Sequence, residues 1–526
     1  MKQRTHKVFY AAHTWLGVIA GLLLFVVAFS GFPAMFAHQL ENWQSPALNA
    51  LPAAQQVDFE RLLSAGQASD FGQQRFFLVP ETDHGYAMVA RFDGDDSVIR
   101  YVELEHYQPI DIGGSQVAHI FEHLHTDLHL PKPFGRYLVG LAGMVMLLSI
   151  IAGIVIHTKW RQQFVMLRPK RSWRLLLTDQ HKLLGLWTLP FSFILAFTGT
   201  ILGLLGLISP ILAVAKFDGD VPAATAAVLG PQAQLTQQAG AAHNLNQLYR
   251  QTLEQQPELD LSFIEIEGYG DQGGTVKFSG NHQHALSSLQ SVTFRLSDGS
   301  LLHELNGAAQ GPFQRIFSAV VPLHYVQFGD IALKVFYALA TLALCALIIS
   351  GNMIWLAKKQ QRQARHNDDT TDRPQLLARL TLGICGALVI SCAITLGASQ
   401  WLIPLQLAEQ QHHIEEGIFW SSWFIAIWPA LFGHDLHARS RGYLATTAVA
   451  LLLVVISDAL VSGRHLLMGN DIVLGVHSAM IALALVCGYF AWRLPQPHRR
   501  RAAVQNEDQD KDNSAREKFS ASATSI

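Results

Sequence analysis

The sequence predicts a membrane all-α bundle of eight spans carrying two external α+β domains, and three observations predict it. Charged residues make up 15% of the chain and hydrophobic ones 50%, where an average soluble protein carries about 25% charged residues. Eight apolar runs approach the roughly 20 residues that a spanning helix needs: 14–36, 135–156, 183–213, 331–356, 376–400, 417–433, 442–461 and 472–493. Two long stretches between them, about 36–133 and 213–322, have ordinary soluble composition.

The resulting plan is a first span (1–36), an external domain (37–134), a second span (135–157), a third (183–213), a second external domain (214–330), a fourth span (331–356), an extension of spans five to eight (376–493) and a disordered tail (494–526). Met1–Lys7 is basic and precedes an apolar run, as in a signal peptide. The run is too long for that and no Ala-x-Ala site follows, so it reads as a retained span. Short segments rich in Lys and Arg fall at the N-terminus (Lys2, Arg4, Lys7), at 157–182, at 357–375 and in the tail. Eight spans put all of them on one side, which predicts cytoplasmic termini and external soluble stretches.

Each external stretch shows helical pattern, at Asp58–Leu63 and Leu245–Leu253, before strand-like alternation at Ser97–Leu104 and Ser291–Arg295. Asp93-Gly94 and Asp298-Gly299 mark turns beside those strands. Two small α+β domains are the expected outcome. Net charge is −2, which excludes the basic footprint of a nucleic-acid binder. The four cysteines all lie in apolar runs, so neither a disulfide framework nor a zinc-thiolate site is expected.

The first four spans contain an internal repeat. His13-Thr-Trp-Leu-Gly17 is followed by Ala28-Phe29-Ser30-Gly31, and His181-Lys-Leu-Leu-Gly185 by Ala196-Phe197-Thr198-Gly199; the histidine precedes the last glycine by 18 residues both times. Leu124-His125 leads to Gly153 and Leu323-His324 to Gly351, at spacings of 28 and 27. Residues 1–160 and 165–358 thus read as two copies of one unit, and related copies in a membrane build sites at their pseudo-two-fold interface.

Histidine is costly in lipid, and this chain has 24 of them. A haem needs two axial nitrogens on opposite faces, and a pseudo-symmetric histidine pair supplies that. His13 with His181, and His125 with His324, are the expected ligands of two haems, one near each face; 18 helical residues rise about 27 Å. His129 is the fallback for His125, and His157, at the end of the second span, is an alternative partner for His13 or His181. Gly17 and Gly185, one turn from their histidines, are where a flat macrocycle could approach, or where helices pack closely. On the short helix before Pro131, His119 and His123 share one face, His125 and His129 another. His412-His413, His434, His437 and His465 read as loop histidines in structural roles, while His477 has no obvious partner. Neither His282-Gln-His284 nor the rest of the external stretches shows metal-ligand spacing. No stretch on the predicted cytoplasmic side is long enough for a nucleotide or flavin domain.

These elements resemble the PepSY-associated transmembrane helix family of bacterial inner-membrane proteins. The resemblance rests on His13-x3-Gly17, Leu124-His125-Thr-Asp-Leu128 leading to Gly153, His181-x3-Gly185, Pro322-Leu323-His324 leading to Gly351, and PepSY-like stretches such as Val102–Gly113. It covers roughly residues 1–360. It implies an inner-membrane ferric-siderophore reductase with b-type haem, acting in iron acquisition: electrons from a quinol or a separate flavoprotein reduce Fe(III) held by a periplasmic siderophore or other ferric chelate. Two other readings are a non-redox transporter or permease, for which Asp458 is the nearest membrane carboxylate, and a PepSY-based module binding an external protein.

Overall fold

The computed structural model describes residues 3–49, 51–92, 97–112, 115–168, 173–309, 311–366, 373–407, 409–432 and 435–494. The Asp93-Gly94 turn and the tail beyond 494 lie outside them. The chain forms two compact bodies, residues 1–113 with 118–350, and 114–117 with 351–526.

Among the described residues, seven helices are long and apolar enough to cross a membrane: Gln3–Ala34, Phe134–Ile156, Leu189–Lys216, Ile331–Gln363, Gln375–Leu405, Leu436–Val461 and Asp471–Arg493. The protein is a multi-pass membrane protein. The apolar run 417–433 falls mostly on a further helix, Glu409–Leu431, whose first two turns carry His412, His413, Glu415 and Glu416. Large apolar side chains such as Ile154, Ile211, Leu339, Leu453 and Leu485 stand exposed on the spans, where lipid rather than water is the fitting solvent.

In the first body the second and third spans cross at glycines. A Cβ on Gly203 would stand 2.6 Å from the Gly140 Cα, so only hydrogen fits there and the backbones meet directly. The run 183–213 is not one helix. Helix Trp173–Trp187 stops at Thr188 and Leu189–Lys216 begins after it, because Pro190 has no N–H to continue the ladder. The first span, its repeat counterpart, is unbroken over Gln3–Ala34.

The strands are β1 (Phe76–Glu81), β2 (Tyr86–Arg91), β3 (Val98–Glu103), β4 (Pro109–Ile110), β5 (Leu259–Glu267), β6 (Thr275–His282), β7 (Gln290–Arg295) and β8 (Leu301–Asn306). They form one sheet of order β4-β3-β2-β1-β5-β6-β7-β8, joined where β1 pairs antiparallel with β5 (Phe77 opposite Glu265, Leu78 opposite Ile264). The order is palindromic, with the same meander on either side of that seam. One core lies beneath it, drawing Leu62, Phe76, Val89 and Val102 from the first stretch and Leu248, Ile264, Phe278 and Val292 from the second. The reason is physical: alone, β1 and β5 would each expose a row of unpaired backbone groups.

The helices before these strands start where their caps predict. Asp58 accepts from the Glu60 and Arg61 N–H groups ahead of Phe59–Ala65, and Asn244 accepts from Gln247 N–H ahead of Leu245–Gln255.

The second body is built around helix Gln375–Leu405. A π-helical segment, Thr381–Gly386, interrupts it. Ser391 donates to the Phe419 carbonyl (2.6 Å) and the Trp423 indole to that of Ile384 (3.2 Å), tying it to Glu409–Leu431.

Candidate functional site

The four repeat histidines come together in two pairs within the first body. His125, on helix Val117–Thr126, faces His324, on helix Val320–Tyr325, with ring centroids 5.9 Å apart and planes 25° apart. His13, on the first span, faces His181, on helix Trp173–Trp187, at 6.2 Å and 72°. Metal–imidazole bonds are about 2 Å long, so two imidazoles on opposite sides of one iron hold their centroids roughly 6 Å apart. Both pairs fit that spacing.

The hydrogen bonds settle which nitrogen is free. His13 Nδ1 meets the Ser149 carbonyl at 2.8 Å and His125 Nδ1 the Val27 carbonyl at 2.8 Å; a carbonyl can only accept, so both rings carry the proton on Nδ1. His181 Nδ1 lies 3.1 Å from the Leu347 carbonyl and 3.0 Å from Ser350 Oγ. His324 Nδ1 lies 2.9 Å from Thr198 Oγ1. That hydroxyl already donates to the Ile194 carbonyl at 2.7 Å, which leaves it to accept from the ring. All four rings therefore present a bare Nε2 lone pair, the metal-binding form of a neutral imidazole. An anchored second nitrogen is also what orients a ligating histidine and raises its basicity. Burial, with the facing His125, pushes the His324 imidazole down to about 3; burial likewise lowers His125.

The glycines that matter are the second ones of each motif. A Cβ on Gly31 would come within 2.8 Å of His125 Cε1, and one on Gly199 within 3.1 Å of His324 Cε1. Gly153 stands in the same relation to His13, at 3.3 Å. Gly17 has nothing within 4 Å and Gly185 meets only Leu347, so the first glycines do not seat the rings. Because His125 rests on Gly31, 18 residues beyond His13 on one helix, the two pairs are separated by about 27 Å of helical rise.

The other histidines divide by their partners. His129 Nε2 points at the Ile120 carbonyl (2.8 Å), so the fallback for His125 has its second nitrogen engaged. His157 follows helix Phe134–Ile156; the ring facing His13 is that of His181. His119 pairs with Glu122 (3.2 Å) and His123 with the buried Asp127 (3.0 Å), whose other oxygen accepts from His129 N–H. Asp127 thus closes the end of the helix that carries His125. His412 and His413 lie within helix Glu409–Leu431 and His437 in the first turn of Leu436–Val461, not in loops: Asp435 caps that turn by accepting from His437 and Ala438 N–H. His434 lies outside the described residues. His465 is a cap, accepting from Leu467 N–H.

Two constellations escaped the sequence reading. His477 has a partner: its Nε2 lies 2.8 Å from Asp458 Oδ2, fully buried in the second body. Arg464 Nε donates to Asp458 Oδ1 (2.8 Å) and its Nη2 to Gln400 Oε1 (3.2 Å). Asp458-x5-Arg464 was visible in the sequence, but nothing there brings in a residue 19 positions away on another helix. The second constellation is external: His38, Glu81 and His84 stand with one ligand atom each within 4.8 Å of one another.

A family model described as the PepSY-associated TM region matches residues 10–358. An uncharacterized protein of Pseudomonas aeruginosa is 29% identical over 377 residues, an alignment covering 68% of this chain and 91% of that protein.

Proposed function

The chain belongs to the PepSY-associated TM region family, and on that premise we propose that it is a di-haem b electron-transfer protein of the bacterial inner membrane. It takes electrons from a quinol or a separate flavoprotein and passes them outward to Fe(III) in a siderophore or other ferric chelate. The observation that carries this reading is the set of two facing histidine pairs near 6 Å, every ring anchored through Nδ1 with Nε2 bare.

His13 and His181 would hold one b-type haem and His125 and His324 the other; each haem, when bound, supplies a one-electron carrier. The chain's own work is orientation. Carbonyl and hydroxyl acceptors fix each ring's tautomer, and glycines leave room for the rings. One electron converts chelated Fe(III) to Fe(II), which such chelators hold far more weakly, so the metal leaves and the chelator survives. The reading includes eight spans, with Glu409–Leu431 as the sixth, the first four as two copies of one unit, and both termini cytoplasmic.

A dithionite-reduced minus oxidised spectrum of purified protein, with haem counted per chain, is the test. Two b-type haems are expected; His125→Ala or His324→Ala should remove one and leave the other. Full haem content in both variants rejects these ligands. No haem, from cells supplied with it, rejects the reductase and promotes a transporter, the reading that the buried Asp458–Arg464–His477 cluster favours.

A further inference from the structure

We propose that His38, Glu81 and His84 form a binding site for one divalent transition-metal ion. His38 Nε2 lies 3.3 Å from His84 Nδ1 and 3.8 Å from a Glu81 carboxylate oxygen. With metal–ligand bonds of about 2 Å, neighbouring ligand atoms around one ion lie roughly 3 to 3.5 Å apart, so the three need only small movements to share an ion. Two imidazoles and one carboxylate select a first-row ion such as Fe(II), Co(II) or Zn(II) over Ca(II) or Mg(II), which prefer oxygen.

Rigid elements carry all three ligands. His38 is on helix Ala37–Gln44, just after the first span, and the fully buried Trp43 pins that helix. Glu81 ends β1, and His84 ends the turn Thr82–His84. The next residue, Gly85, has φ 71°, and a Cβ there would lie 2.0 Å from the Pro52 carbonyl oxygen. The turn therefore tolerates no side chain at that position. A supporting layer is present: Tyr86 hydroxyl stands 3.5 Å from His38 Nδ1 and donates to Asn42 Oδ1 at 3.1 Å. The Asn42 amide also lies 3.2 Å from His38 Nε2 and must give way to an ion. The side chains of His38 and Glu81 are 29% and 31% exposed, so an ion can enter.

The charges around the trio favour a cation. Glu41 and Asp83 add acidic charge near Glu81. Lys334, at the start of the fourth span, is the opposing charge. A second such cluster among the described residues, Glu103, Glu105 and His106, is made of near neighbours at the end of β3 and the turn after it, two of them exposed.

Binding stands without the electron-transfer reading; a role does not. If the protein reduces ferric chelates, this site lies at the same end of the first span as His125 and offers the freed Fe(II) a two-histidine, one-carboxylate seat.

The test is an anaerobic titration of chelator-stripped, full-length protein in detergent with Co(II), followed by visible absorption, alongside the haem spectrum of the same sample. Wild type should bind an ion that His84→Ala loses or binds at least about 100-fold more weakly, since even supporting residues around a metal are worth roughly 10–100-fold in affinity. Tyr86→Phe should cost about tenfold. Should His84→Ala misfold, Glu81→Gln keeps the shape and must still weaken binding. Equal stoichiometry and affinity in wild type and a folded Glu81→Gln or His84→Ala overturn the site and make it a hydrogen-bonded clasp. A bound ion without haem keeps the site and removes its role in reduction; haem without a bound ion removes the site and leaves the reductase.

Discussion

His477 is fully buried and His324 half-buried, and the two rings are tied in opposite ways. His324 ties its Nδ1 to Thr198 and faces His125 with a bare Nε2. His477 gives its Nε2 to Asp458, and its Nδ1 is buried without a hydrogen-bond partner among the described residues. His324 is anchored through Nδ1 to a neutral hydroxyl and turns its other side to an imidazole, whereas His477 turns Nε2 to a carboxylate that Arg464 also binds. The first body offers nitrogen to something from outside; the second satisfies its charges internally.

Three measurements sharpen or break this contrast. The largest effect is expected from Asp458→Asn, which leaves Arg464 buried without its carboxylate. Removing one member of a buried pair costs about 3–5 kcal/mol, so thermal unfolding in detergent should move sharply down while haem per chain stays at the wild-type value. Unchanged stability, or lost haem, ends the division of labour. Next are the ring seats. A methyl group from Gly31→Ala would press on a ring that its bond to Val27 holds in place, and overpacking of this kind costs about 1–3 kcal/mol. Haem at the His125–His324 pair should be retained poorly in that variant. Gly199→Ala, with 3.1 Å rather than 2.8 Å available, should do less. Equal effects would mean that the two halves are more alike than the distances indicate. The smallest change is expected from Ser350→Ala, because His181 keeps the Leu347 carbonyl; haem loss from the His13–His181 pair should accelerate by about tenfold at most.

The local parts of this molecule were legible in its sequence. Helices Phe59–Ala65 and Leu245–Gln255 followed from helical pattern at Asp58–Leu63 and Leu245–Leu253, β3 and β7 from alternation, and the facing of His13 with His181 and of His125 with His324 from matched histidine–glycine spacings. What escaped depends on distance. The seam between β1 and β5 joins segments almost 190 residues apart by Phe77 and Glu265, and no local pattern announces such a pairing. Spacing drew attention to Gly17 and Gly185, one turn from their histidines, whereas the rings from the other level rest on Gly31 and Gly199. His38 meets Glu81 across 43 residues and His84 across 46, from a helix to a strand and the turn after it. The break at Thr188 was missed, although Pro190 lies inside the apolar run.

The palindromic sheet has a consequence for where such a chain comes from. A single copy of the span–external–span unit would leave β1 with an open edge, a core lacking half its side chains, and one histidine at each level. A second identical copy, turned about a two-fold axis, mends all three defects at once, because antiparallel β1–β1 pairing is self-complementary in the way isologous dimers require. The two halves are not identical: Ser30 stands in one motif where the other has Thr198, and the first span is unbroken while the third is interrupted at Thr188.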